Sequence, residues 1–95
     1  MTVEELKTEL ESIVLSLMSS GFGTINPGTM EKLKVLTTEA GKLNMKEGKR
    51  LIKNLTAAMR AIKTGKSKAE SGSVRLTALD FYLKKLSSGG NIEDL

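Results

Sequence analysis

The side chains that most often perform chemistry are scarce in this chain. It contains no cysteine and no histidine, which removes thiolate and imidazole nucleophiles, histidine general bases and zinc sites of the usual composition. Carboxylates, lysines, hydroxyls and a single tyrosine remain. A pair of acids held around a cleft would suit general acid–base work, yet Glu4, Glu5, Glu9 and Glu11 gather where the positive end of a first helix favours negative charge. They read as solvated helix-start charges. Asp80 lies four residues before Lys84, the spacing of an ion pair along one helix. Tyr82 belongs at the edge of a core, its ring buried and its hydroxyl wet.

Two short motifs fail on context. Gly65-Lys66-Ser67 matches the end of a phosphate-binding loop, but the full pattern G-x-x-x-x-G-K-[ST] requires glycine at position 60 and a preceding strand. Arg60 stands there, inside a helical pattern. Asn54-Leu55-Thr56 has the form of a glycosylation acceptor, yet it falls within the same predicted helix. No catalytic, cofactor-binding or metal-ligating residue is assigned, and a non-enzymatic protein is expected.

Charge is more informative. The segment from Lys46 to Lys68 holds eight cations, Lys46, Lys49, Arg50, Lys53, Arg60, Lys63, Lys66 and Lys68, against one acid, Glu47, whereas the whole chain carries a net charge of only +4. Positive charge is therefore segregated. Such a stripe suits an acidic protein surface or a phosphate backbone. A helix-turn-helix register that aligns Ala40 with the small residue of a first helix makes Arg50 and Lys53 core positions of the second, which two cations cannot both occupy. Shifting by one places Leu51 and Asn54 there, a partial fit only. No aromatic residues are interleaved with the cations to stack on single-stranded bases.

The elements that must position these residues are helices. With about 100° of rotation per residue, Gly48, Leu51, Ile52, Leu55, Ala58, Met59 and Ile62 fall on one side of a helix between Asn44 and Thr64. Lys46, Lys49, Arg50, Lys53 and Arg60 fall on the other. The apolar side is needed for a core, which removes it as a membrane-binding surface. Asn44 with Glu47 reads as the start of this helix, and Gly65 as its end. Before it, Thr2 and Glu5 form a capping box for a helix carrying Val3, Leu6, Leu10, Ile13, Val14, Leu17 and Met18 to Gly21. A loop, GFGTINP, follows, with Phe22 and Ile25 expected to fold over the end of the bundle. Asn26-Pro27 then opens a second helix with Met30, Leu33, Leu36, Ala40 and Leu43 on one side.

After Gly65 the polar stretch to Ser73 reads as a loop, and Ser73 as the cap of a fourth helix buried through Leu76, Leu79, Tyr82, Leu83 and Leu86. Val74, Ala78 and Phe81 form a second apolar strip on that helix. It marks either a central position in the bundle or an interface with a protein partner or a second copy of the chain.

Ninety-five residues support one modest core. With 39% hydrophobic and 27% charged residues the chain is in the folded range, and with only 3% aromatics that core must be aliphatic. The expectation is an all-α protein: a compact four-helix bundle with short turns, residues 2–88, and a flexible C-terminal tail, residues 89–95. The most apolar local run, Ile13 to Met18, is far below the roughly 20 residues that span a bilayer, and the acidic start lacks the form of a secretory signal. A cytoplasmic location is expected.

The expected function is a small adaptor or accessory module that binds a protein partner, acidic in character. Its candidate interaction face is Lys46, Lys49, Arg50, Lys53 and Arg60, and its candidate apolar interface is Val74, Ala78 and Phe81. The alternative is non-specific contact with nucleic-acid phosphates through the same cations.

Overall fold

Thr2 starts the first helix as its spacing predicts. Its hydroxyl accepts a hydrogen bond from the Glu5 amide at 3.1 Å while the Glu5 carboxylate accepts from the Thr2 amide at 2.9 Å, so two otherwise unpaired donors are satisfied reciprocally. The computed structural model of the chain describes residues 1–23 and 25–87. It contains four helices, α1 (Val3–Ser20), α2 (Pro27–Lys42), α3 (Lys46–Lys63) and α4 (Ala69–Ser87), and no strand among the described residues. The expected tail, residues 89–95, lies outside the described residues.

The architecture is an all-α four-helix bundle. Consecutive helices are antiparallel: the Met1 amino group reaches Glu39 near the end of α2, while Glu9, further along α1, pairs with Lys32, nearer the start of α2. Gly48 lies against Tyr82 and Gly72 against Ile62, which fixes the opposite directions of α3 and α4. The helices α1 and α3 each pack on α2 and α4, so they stand at opposite corners. Leu6, Leu10, Leu33, Leu36, Ile52, Leu55, Met59 and Leu79 are fully enclosed between them. Each such side chain contributes on the order of 1.5–3 kcal/mol by leaving water.

Phe22 does fold over one end of the bundle, where its ring is buried against Gly72. Met18 departs from expectation and is 53% exposed. One residue beyond Leu17, and so about 100° further around the helix, it falls off the face set by Leu6, Leu10, Ile13 and Leu17.

Two boundaries differ from the sequence expectation. Asn44 does not cap α3; it terminates α2. It adopts a left-handed conformation, φ 60°, its amide donates to the Gly41 carbonyl at 3.2 Å, and the Met45 amide donates to Ala40 at 3.0 Å. This is a Schellman closure, in which a left-handed residue lets two amides return to the carbonyls of the last turn. The accompanying apolar contact is supplied by Met45 and Ala40, both fully buried. Gly65 ends α3 in the same manner, with φ 78° and the Lys66 amide on the Ala61 carbonyl at 2.8 Å.

The other difference is the start of α4, at Ala69 instead of Ser73. Ser73 lies inside the helix, its carbonyl accepting from the Thr77 hydroxyl at 2.9 Å. Packing overrides local preference here. Gly72 is buried, and a Cβ at that position would come within 2.9 Å of both Ile62 and the Phe22 ring. A glycine that disfavours helix locally is what permits the close approach.

Candidate functional site

The sequence of α3 separates its two faces cleanly. Gly48, Leu51, Ile52, Leu55, Ala58 and Met59 are buried, while Lys46, Lys49, Arg50, Lys53 and Arg60 are all exposed. Lys46, Lys49, Lys53 and Arg60 follow one another at intervals of three, four and seven residues, which aligns them along about 21 Å of helix. Thr56, also buried, escapes the apolar pattern because its hydroxyl donates to the Ile52 carbonyl at 2.8 Å. A hydroxyl satisfied within its own helix is tolerated in a core.

The five cations do not share one environment. Arg50 pairs with Glu47 through two contacts, its Nε donating to Oε2 at 3.1 Å and its Nη2 meeting Oε1. The hydrogen bond from Arg50 holds the Glu47 carboxyl below its usual pKa, and the same contact raises that of Arg50. Lys49 lays its side chain along Gly41, in the last turn of α2, where the negative end of the helix dipole favours a cation. Among the described residues, Lys46, Lys49, Lys53 and Arg60 have no carboxylate within ion-pair distance.

The stripe borders two grooves. Between α2 and α3, Lys53 and Arg60 face Lys34 across a concavity of about 430 Å³ that also holds Thr37, Thr38 and Thr56. The three hydroxyls donate to helix carbonyls and Lys34 pairs with Glu31 at 3.4 Å, so Lys53 and Arg60 are the donors left to an incoming anion. Lys34 was not legible as part of this face, since only the packing of α2 on α3 brings it there.

Between α3 and α4, Glu47, Arg50, Leu51, Ala78, Phe81, Tyr82 and Lys85 surround a concavity of about 340 Å³. Val74 and Phe81 are 64% and 61% exposed and Ala78 is half-buried. The strip predicted on α4 is therefore on the outside of the bundle. Its position is not explained by centrality, because α3 and not α4 carries the most extensively buried face. The Lys85 ammonium sits 4.8 Å from the centre of the Phe81 ring, within the range of a cation–π contact. The sequence signal for Lys85 is its position four residues beyond Phe81, which places both on one side of α4.

Arg50 also lines the shallow cationic depression formed with Lys46, Lys49, Lys53 and Asn54. The basic face and the apolar strip are thus one continuous surface, with Arg50 as the shared wall.

No protein-family model, curated protein or solved structure matches this chain. The residues that could do chemistry must be weighed on their geometry. Asp80 pairs with Lys84 at 3.0 Å, as its spacing predicts. Asp80 and Tyr82, two residues apart, project from nearly opposite sides of α4 and do not converge. Tyr82 corrects an expectation: it is 3% exposed, and its hydroxyl is buried with no hydrogen-bond partner among the described residues. A Cβ at Gly48 would lie 2.7 Å from that oxygen, so glycine there is what admits the phenol. Burial pushes the Tyr82 pKa up; the Gly48 amide, short of hydrogen-bond geometry, partly opposes the shift, and the Glu47 charge adds to it. No helix is long and apolar enough to cross a membrane among the described residues.

Proposed function

We propose that this protein is a non-catalytic binding module that docks an acidic protein partner on the exposed face of α3. The observation that carries the proposal is the row Lys46, Lys49, Lys53 and Arg60, four cations without a carboxylate partner among the described residues, on a helix whose opposite face is committed to the core. Holding like charges together costs stability that an acidic surface would recover on binding. Such contacts act more on encounter rate and selectivity than on affinity. In this reading the module is an adaptor or accessory subunit, with a cytoplasmic location.

A second reading has its own support. Lys34, Lys53 and Arg60 flank one groove from two helices, an arrangement suited to a phosphate backbone. The two readings separate in a single titration at about 50 mM salt, where non-specific nucleic-acid binding through several phosphates is strong. Labelled poly-glutamate and random-sequence duplex and single-stranded oligonucleotides are the probes. Binding of the polypeptide, lost in the double variant Lys49→Glu/Lys53→Glu, supports the protein-partner reading. Binding of the oligonucleotides alone, lost in the same variant, transfers the face to nucleic acid.

A further inference from the structure

The strip Val74, Ala78 and Phe81 occupies positions i, i+4 and i+7 of α4, a ridge of the kind that packs into the groove of another helix. Two of its three members are mostly exposed. Beside it on α3, Arg50 is followed at helical spacing by Asn54, Ala58 and Ala61, a lane of short side chains that would let a further backbone approach closely. The ridge and lane run antiparallel to each other, as the contacts of Gly48 with Tyr82 and of Gly72 with Ile62 require. At the upper end of this groove stand Lys85 and the Glu47–Arg50 pair, and directly beyond Arg50 lie Lys46, Lys49 and Lys53.

We propose that the groove between α3 and α4 receives an acidic amphipathic helix of the partner, with aliphatic anchors against Phe81, Ala78 and Val74 and carboxylates over Lys46, Lys49 and Lys53. The inference rests on the proposed function and deepens it by naming the kind of partner. Charge complementarity selects the occupant: a neutral helix would leave the α3 cations unmatched, and a basic one would be repelled by them. Helical form follows from the spacing of the receiving ridge, which matches anchors at i, i+4 and i+7 of the incoming segment. The Phe81 ring is the largest exposed apolar group on the surface, and aromatic anchors near the centre of an interface carry much of its binding energy.

The test uses the full chain and two labelled helical peptides, each with glutamates along one face. One carries leucines at i, i+4 and i+7 of the opposite face; in the other these are serines. The expected result is that the leucine peptide binds about tenfold or more tightly than the serine peptide, a difference of roughly 1.4 kcal/mol. Phe81→Ser, and independently Val74→Ser, should remove that difference without lowering the melting temperature, because neither side chain is buried. Lys49→Glu/Lys53→Glu should weaken both peptides.

Equal binding of the two peptides overturns the groove inference and leaves the basic-face reading standing. Binding of neither overturns both. A concentration-dependent dimer abolished by Phe81→Ser assigns the groove to a second copy of the chain, and overturns the proposal. So does a gain of about tenfold in leucine-peptide affinity on deleting residues 88–95, which assigns it to that segment.

Discussion

Tyr82 is the residue at which burial and chemistry are most at odds. A phenol enclosed without a hydrogen-bond partner forfeits part of the hydration it had in the unfolded chain, so its hydroxyl contributes nothing to the core that a phenylalanine ring would not. The substitution Tyr82→Phe is expected to be neutral or to stabilise by up to about 1 kcal/mol, read by urea unfolding at neutral pH. The sign of the pH effect follows from the direction of the pKa shift. The folded state favours the neutral phenol, so its contribution is fully present below the ordinary phenol pKa of about 10 and is lost as pH rises through the raised folded value. Native protein should therefore lose stability relative to Tyr82→Phe above about pH 10. As the only tyrosine in the chain, Tyr82 can be followed alone by phenolate absorbance, which should show delayed ionisation until the fold opens. A titration at the ordinary phenol pKa in the folded protein would contradict the buried placement.

At the scale of the elements, the connection between α2 and α3 shows how one residue type carries two local meanings. Asparagine is favoured at the start of a helix through its side chain and at the end of one through its tolerance of the left-handed region. The geometry at Asn44 is the second kind. Replacing it with glycine, which adopts positive φ without strain, should preserve or raise stability, while Asn44→Ala should cost about 1 kcal/mol because alanine resists that conformation. Thermal or urea unfolding of the two variants decides the matter, since a side-chain cap would make both replacements harmful. The early start of α4 has a related cause: Gly72 has poor helix propensity, and burial against Ile62 and Phe22 compensates for it. That compensation joins residues from three separate parts of the chain.

Across the whole molecule, charge is arranged diagonally. The helix α1 holds four glutamates and one lysine, and α3 holds six cations and one glutamate. They stand at opposite corners of the bundle. An acidic partner is accordingly attracted to the α3 side and repelled from the α1 side, which orients encounter before contact. The expected outcome for the acidic leucine peptide is an association rate that falls several-fold between about 50 mM and 200 mM salt, with a much smaller change in dissociation rate, because exposed charges steer approach and are screened beyond about 10 Å. Stopped-flow fluorescence at several salt concentrations measures both. A dissociation rate that changes as much as the association rate would show the charge pairs to be desolvated within the interface and not on its solvated rim.

The four-helix organisation was legible because each helix carries its own apolar repeat, and a repeat is a local property. Capping at Thr2 and Asn26, the opposing faces of α3, the Asp80–Lys84 pair and the return of Phe22 over the bundle end all followed from neighbours within a turn or two, or from an apolar residue in need of cover. What the sequence did not contain was decided by contacts between distant segments. Gly72 entered a helix because Phe22 and Ile62 needed the space, and Lys34 joined the α3 cations only through the packing of α2; Asn44 is the exception, its role being set within one turn by the closing of α2. The same holds for the candidate site. Its cations and its apolar strip are each written locally in α3 and α4; their union through Arg50 is a consequence of those two helices lying side by side, which no single stretch of chain encodes.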